Sequence, residues 1–235
     1  MLHVLGRGGI LGVSEEGTAL FGIVWLLETM AYCAVDDYGL ISGYNAKEKG
    51  QNFTRIICLW FQVFFYSFVF SLLLNLVGLK GEMNLKELIK MVFPATFAVY
   101  WYFSAYLPLA ILEPYIYKGL NSIDDKGIRR LFVLIIGIFC FSGLLFNGYN
   151  TESGYSFIWL LLLYVLGYSI KRLGLFEKWS NFKLLSISAL LIIVSWLPMF
   201  LFNVDILINY ISPTIVFNAI FLLIIFSRIK PIIRF

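Results

Sequence analysis

The chain has 235 residues, of which 60% are hydrophobic, 18% aromatic and only 14% charged. A soluble domain of that length needs more polar surface, so the composition points to an integral membrane protein. The net charge of +4 resides in short breaks, with no basic tract interleaved with aromatics, which argues against nucleic acid as a partner. The absence of alternating ten-residue segments argues against a β-barrel.

In chain order, the first segment, MLHVLGRGGILGV, is apolar but too short to cross a bilayer. It has neither a charged front nor a small-residue cleavage site, so it does not read as a signal peptide. Full spans are predicted at about 18–44, 56–79, 95–117, 131–147, 155–170, 184–203 and 206–227, each ending in a charged or Gly/Asn-rich break. The fold class is therefore all-α: a polytopic transmembrane helical bundle of about seven full spans plus a partial N-terminal helix, within one domain over 1–235.

The basic residues give the bundle a direction. Lys47, Lys49 and Arg55 follow the first full span, and Lys118, Lys126, Arg129 and Arg130 follow the third. Lys171, Arg172, Lys178 and Lys183 follow the fifth, and Arg228, Lys230 and Arg234 the seventh. Fourteen of the 18 basic residues thus occupy alternate breaks, which the positive-inside rule makes cytoplasmic, together with the C-terminus. By the same alternation the first segment is the outer half of a helix rising from the cytoplasm. Among the opposite breaks, residues 84–93 place Leu85, Leu88, Ile89 and Val92 on one helical face with Lys86, Glu87 and Lys90 opposite. Asn84 and Glu87 have capping-box spacing, and Pro94 stops the run. Two readings stand, an interfacial helix on the outer surface and a solvated loop helix.

Polar residues inside the spans are the candidates for chemistry. Glu28, Asp36 and Asp37 fall in the first full span, where a carboxylate at the bilayer centre costs about 2.5–3.5 kcal/mol on insertion scales. Glu28 and Asp36 lie about 80° apart on a helical wheel, with Tyr32 between them, and can share one face directed into the bundle. Asp37 turns further round; a second reading makes it a partly solvated acid near Lys47 or Arg55. His3 is the sole histidine, either structural or a general base. Residues 100–121 pack aromatics, Trp101, Tyr102 and Tyr106 among them, around Glu113. Pro108 and Pro114 are expected to interrupt that helix beside an interior or wet cavity, where the rings could hold a sugar face or acyl chain. An aromatic belt at the outer interface is the alternative for Tyr100 and Trp101. Cys33, Cys58 and Cys140 are scattered through the spans and expected to be buried; they make neither a disulfide framework nor a metal set, and no metal site is expected. The NFT tripeptide at Asn52 falls on the cytoplasmic side, so it does not read as a glycosylation site.

Six stretches occur in order: LHVLGRGGIL, WLLETMAYCAVDDYGLISGY, LWFQVFFYS, YWYFSAYLPLAILEPYIYKGLN, YSFIWLLLLYVLGYSIK and NYISPTIVFNAIFLLIIFSRIK. Together they resemble the acyltransferase type 3 family of bacterial multi-pass membrane enzymes, with ISGY the most specific element. The resemblance implies transfer of an acyl group, commonly acetyl, from cytoplasmic acyl-CoA to a hydroxyl of a cell-surface polysaccharide or its lipid-linked precursor. It implies acyl-CoA as cosubstrate with no bound cofactor, a carbohydrate acceptor, and residence in the bacterial plasma membrane. His3 matches the family histidine late in the first helix and is thereby implied to be catalytic, with Glu28 or Asp36 orienting it. Arg55 matches basic residues suited to the phosphates of CoA. Asp37, Trp101, Tyr102, Tyr106 and Glu113 are expected to line the substrate path. Relative to the family the chain is expected to be incomplete at both ends, without the arginine upstream of the histidine and without the final helices. Two other readings stay open: a transporter of saccharide or small solute, and an inactive remnant of the family.

Overall fold

A computed structural model of the chain describes residues 1–48, 53–78, 84, 89–90, 92–93, 97, 100–142, 144 and 151–229. The described residues are helical, with no strand among them. Among the described residues a π-helical turn, His3–Arg7, precedes eight α-helices: α1 (Ile10–Val13), α2 (Ala19–Tyr44), α3 (Phe53–Leu76), α4 (Trp101–Ser122), α5 (Asp125–Leu134), α6 (Phe157–Leu173), α7 (Asn181–Phe202) and α8 (Pro213–Ser227). A π-helical stretch, Ile135–Ser142, continues α5. Half of the surface helix expected over 84–93, and Asn52 of the NFT tripeptide, lie outside the described residues.

Three described helices are long and apolar enough to cross a membrane: α2, α3 and α7. Helix α8 is apolar but has only 15 residues. The helix starts have local causes. Thr18 caps α2, its hydroxyl accepting from the Phe21 amide at 3.2 Å, and Ser180 caps α7 through the Lys183 amide at 3.2 Å. Pro213 occupies the first turn of α8, which is why that helix starts there and not at the expected 206. The N-terminal segment is not the single partial helix expected: Gly9, at φ 82°, divides the π-helical turn from α1. Helix α4 also departs from expectation, because it runs unbroken through Pro108 and Pro114.

The chain divides into two compact units. The first contains residues 1–46, 122–154 and 158–235, and the second residues 47–121 and 155–157. In the first unit, α2 and α6 run parallel, since Asp36 meets Trp159, Gly39 meets Leu163, and Leu40 meets Gly167. Their approach is close enough that a Cβ on Gly43 would overlap the Tyr164 carbonyl, and one on Gly167 the Leu40 carbonyl. This is the small-residue packing used where lipid removes the hydrophobic drive between helices. Helix α7 runs against α2: the Trp196 indole donates to the Gly22 carbonyl at 2.8 Å, and Asn203 bonds Glu16. Phe21, Met199 and Ile208 form a core there with Trp25, Tyr32 and Phe200 around it.

The ends that carry basic residues gather on one side of this unit. Arg172 pairs with Asp125 at 2.9 Å, and Arg228 bonds Asn181 and the Glu177 carbonyl. The final turns of α2, α6 and α8 share one cavity. These are the breaks after the first, third, fifth and seventh expected spans.

The second unit has a different character. Of the 24 residues of α3, Ser67 alone is buried. Its rings stack along the helix, Trp60 on Phe64 at 5.5 Å and Phe64 on Phe68 at 5.9 Å. An apolar helix exposed on nearly every side is at home in lipid and not in water. Cys58 on this helix is exposed, contrary to the expectation of burial, whereas Cys33 and Cys140 in the first unit are buried.

Candidate functional site

Helix α2 carries the polar interior of the first unit. Glu28 is 5% exposed and Asp36 is fully buried, so the face predicted for them does look into the bundle. Their surroundings differ. A Glu28 carboxylate oxygen lies 3.5 Å from where a Cβ on Gly6 would sit, which places it against the π-helical turn that begins at His3. Asp36, eight residues and about 12 Å further along the helix axis, accepts a 3.0 Å hydrogen bond from Trp159 Nε1. The two carboxylates therefore serve different neighbours.

His3 is exposed on its turn, while Leu5 two residues later is buried. A Cβ on Gly6 would meet the Glu28 carboxylate only in ordinary van der Waals contact, so the carboxylate lies beside the turn without needing a glycine there.

Several buried polar atoms have no hydrogen-bond partner among the described residues: Trp25 Nε1, Glu28 Oε2, Asp36 Oδ2, Asp37 Oδ1, Ser188 Oγ, and both amide atoms of Asn218. An apolar bundle normally leaves few such groups, because each costs about 1–3 kcal/mol when unmet. All of them belong to the first unit.

Asp37 is half-buried and turned away from Asp36, toward a cavity of about 580 Å³. Among the described residues, Ile41, Tyr44, Asn45, Lys171, Leu223, Phe226 and Ser227 also line it. Lys171 Nζ sits 4.8 Å from the centre of the Tyr44 ring. One carboxylate, one ammonium, an aromatic face and an amide thus surround a space on the side where the basic ends gather. Sequence reasoning placed Asp37 but missed Tyr44, Asn45, Lys171 and Ser227, which come together only through the parallel packing of α2, α6 and α8.

The remaining candidates belong to the second unit. Trp101 meets Tyr102 edge-on at 5.5 Å, Tyr102 stacks on Tyr106 at 6.1 Å, and Trp101 contacts Tyr155 at 4.6 Å. All three predicted rings are half-buried, and so is Glu113, about three turns beyond Trp101 on α4. Arg55 is exposed in the first turn of α3. No group of three or more metal-ligating side chains occurs among the described residues.

A family model described as an acyltransferase domain matches residues 1–235, the whole chain. No curated protein and no solved structure matches it.

Proposed function

Because the chain belongs to the acyltransferase type 3 family, we propose that it is a multi-pass membrane O-acyltransferase of about seven spans. It transfers an acyl group, acetyl first among the candidates, from acyl-CoA to a hydroxyl of a cell-surface polysaccharide or its lipid-linked precursor. The side on which the basic ends gather faces the cytoplasm. The observation that carries this reading beyond the family is the cavity among Asp37, Tyr44, Asn45 and Lys171, which opens on that side and lies below the buried carboxylates of α2. It offers a cation and an aromatic face to a phosphate-bearing nucleotide donor.

In the proposed reaction His3 takes the acceptor hydroxyl proton as the oxygen attacks the thioester carbonyl. Collapse of the tetrahedral adduct breaks the carbon–sulfur bond, and the imidazolium returns the proton to the departing thiolate. Glu28, whose carboxylate lies against the same turn, orients the imidazole in this reading. Asp36 is engaged by Trp159 and acts by holding α6 against α2. Arg55 on α3 supplies positive charge for the donor phosphates, and Trp101, Tyr102, Tyr106 and Glu113 on α4 contact the acceptor. The transporter reading predicts solute movement without acyl-CoA consumption. Membranes containing the chain, supplied with acetyl-CoA, are therefore expected to release free CoA only when the glycan acceptor is present.

A further inference from the structure

Among the basic residues on the gathered side, two groups stand apart. Arg172 and Arg228 are held by protein, the first by Asp125 and Tyr168, the second by Asn181 and two carbonyls. Lys171 lies on Tyr44, and Lys183 lies 4.0 Å from the centre of the Trp179 ring. Lys126, Arg129 and Arg130 form the other group: all three are exposed, and none has an ion pair or hydrogen bond among the described residues. They sit within about one turn of each other on α5 and, with Val133 and Leu134, line a cavity of about 530 Å³.

What lies along the same helix identifies the guest. Spacings of three and four residues carry the face from Lys126 through Arg129 and Arg130 to Val133, Leu134, Gly137, Ile138 and Phe141. Every one of these residues is exposed. The opposite face is buried, through Ile128, Ile135, Ile136 and Cys140. A Cβ added at Gly137 would meet nothing within 4 Å, so the stripe dips at that point. Three cations with no partner among the described residues, beside a stripe of exposed apolar residues, match a molecule with an anionic head and a hydrocarbon tail. A free nucleotide would use the cations and leave the stripe uncovered.

We propose that this face of α5 and its π-helical continuation is a binding site for an anionic phospholipid. The phosphate is held by Lys126, Arg129 and Arg130, and an acyl chain lies over Val133, Leu134, Gly137 and Ile138. The site is distinct from the cavity at Asp37 and does not depend on the acyltransferase reading.

The test is native mass spectrometry of the purified 235-residue chain, released from detergent carrying equal amounts of phosphatidylglycerol and phosphatidylcholine. The chain is expected to retain phosphatidylglycerol in preference, and that preference is expected to fall about fivefold for each of Lys126, Arg129 and Arg130 changed to Gln. Lys178→Gln, exposed elsewhere on the chain, is expected to leave the preference unchanged. Arg129→Lys/Arg130→Lys keeps the charges and is expected to retain most of it, which separates charge recognition from loss of folding. Equal retention of the two lipids, or a preference untouched by the Gln variants, overturns the proposal. So does displacement of phosphatidylglycerol by micromolar CoA, which would assign the cations to the donor nucleotide.

Discussion

Trp159 Nε1 donates to Asp36 Oδ1 at 3.0 Å, and neither residue has measurable exposure to solvent. The bond joins two parallel helices across 123 residues of sequence, at a depth where neither group finds water. Trp159→Phe leaves both Asp36 oxygens unmet and is expected to destabilise the bundle by about 1–3 kcal/mol. The double variant Trp159→Phe/Asp36→Leu removes both polar partners and is expected to recover part of that loss. Thermal unfolding in detergent checks both, and a double variant weaker than the sum of the singles contradicts the account.

Gly43 and Gly167 set how closely α2 and α6 approach. Each faces a backbone carbonyl of the other helix, so no rotamer change relieves an added Cβ. Gly43→Ala and Gly167→Ala are each expected to cost about 1–3 kcal/mol or more through overpacking, with a loss of monodisperse protein on size exclusion. Gly119→Ala, on α4 with open space around it, is expected to be neutral or to stabilise by about 0.5–1 kcal/mol.

Among the described residues, Lys171 is the one cation lining the cavity beside Asp37. Its removal is expected to weaken donor capture without touching the chemical step. Lys171→Gln should raise KM for acyl-CoA about two- to fivefold with kcat unchanged, as befits a partly solvated charge. Steady-state kinetics over a range of donor concentrations decides it, and a fall in kcat at constant KM would place Lys171 elsewhere in the mechanism.

Much of this was legible in the residues. Thr18 marked the start of α2 within one position, and the alternation of Lys and Arg foretold which helix ends gather together. The buried face of Glu28 and Asp36 followed from their angular separation together with the cost of exposing a carboxylate to lipid. Other features depend on tertiary contacts that no local pattern encodes. The Trp159–Asp36 bond and the lining of the Asp37 cavity are of this kind, because they join segments more than a hundred residues apart. Gly39 and Gly43 did carry a signal, a glycine pair at four-residue spacing whose second member lies in the ISGY element, and its meaning as a crossing point appears only with α6 in place. Pro108 and Pro114 misled for a physical reason: a helix among apolar surroundings has no better use for its backbone groups than to stay helical. Cys58 misled because burial in lipid is not burial in protein.

Glu28 is placed against the turn that begins at His3, so the two are expected to fail together. Glu28→Gln should lower acyl transfer by one to three orders of magnitude, with KM for acyl-CoA little changed.

Transfer of labelled acetyl from acetyl-CoA to the surface glycan, by membranes carrying the chain or its His3→Ala variant, is the most direct measurement. Label is expected in the glycan for the unaltered chain, with a loss of at least about a hundredfold for the variant when both proteins are equally abundant. Equal labelling by the two, or no labelling by either above membranes lacking the chain, would contradict it.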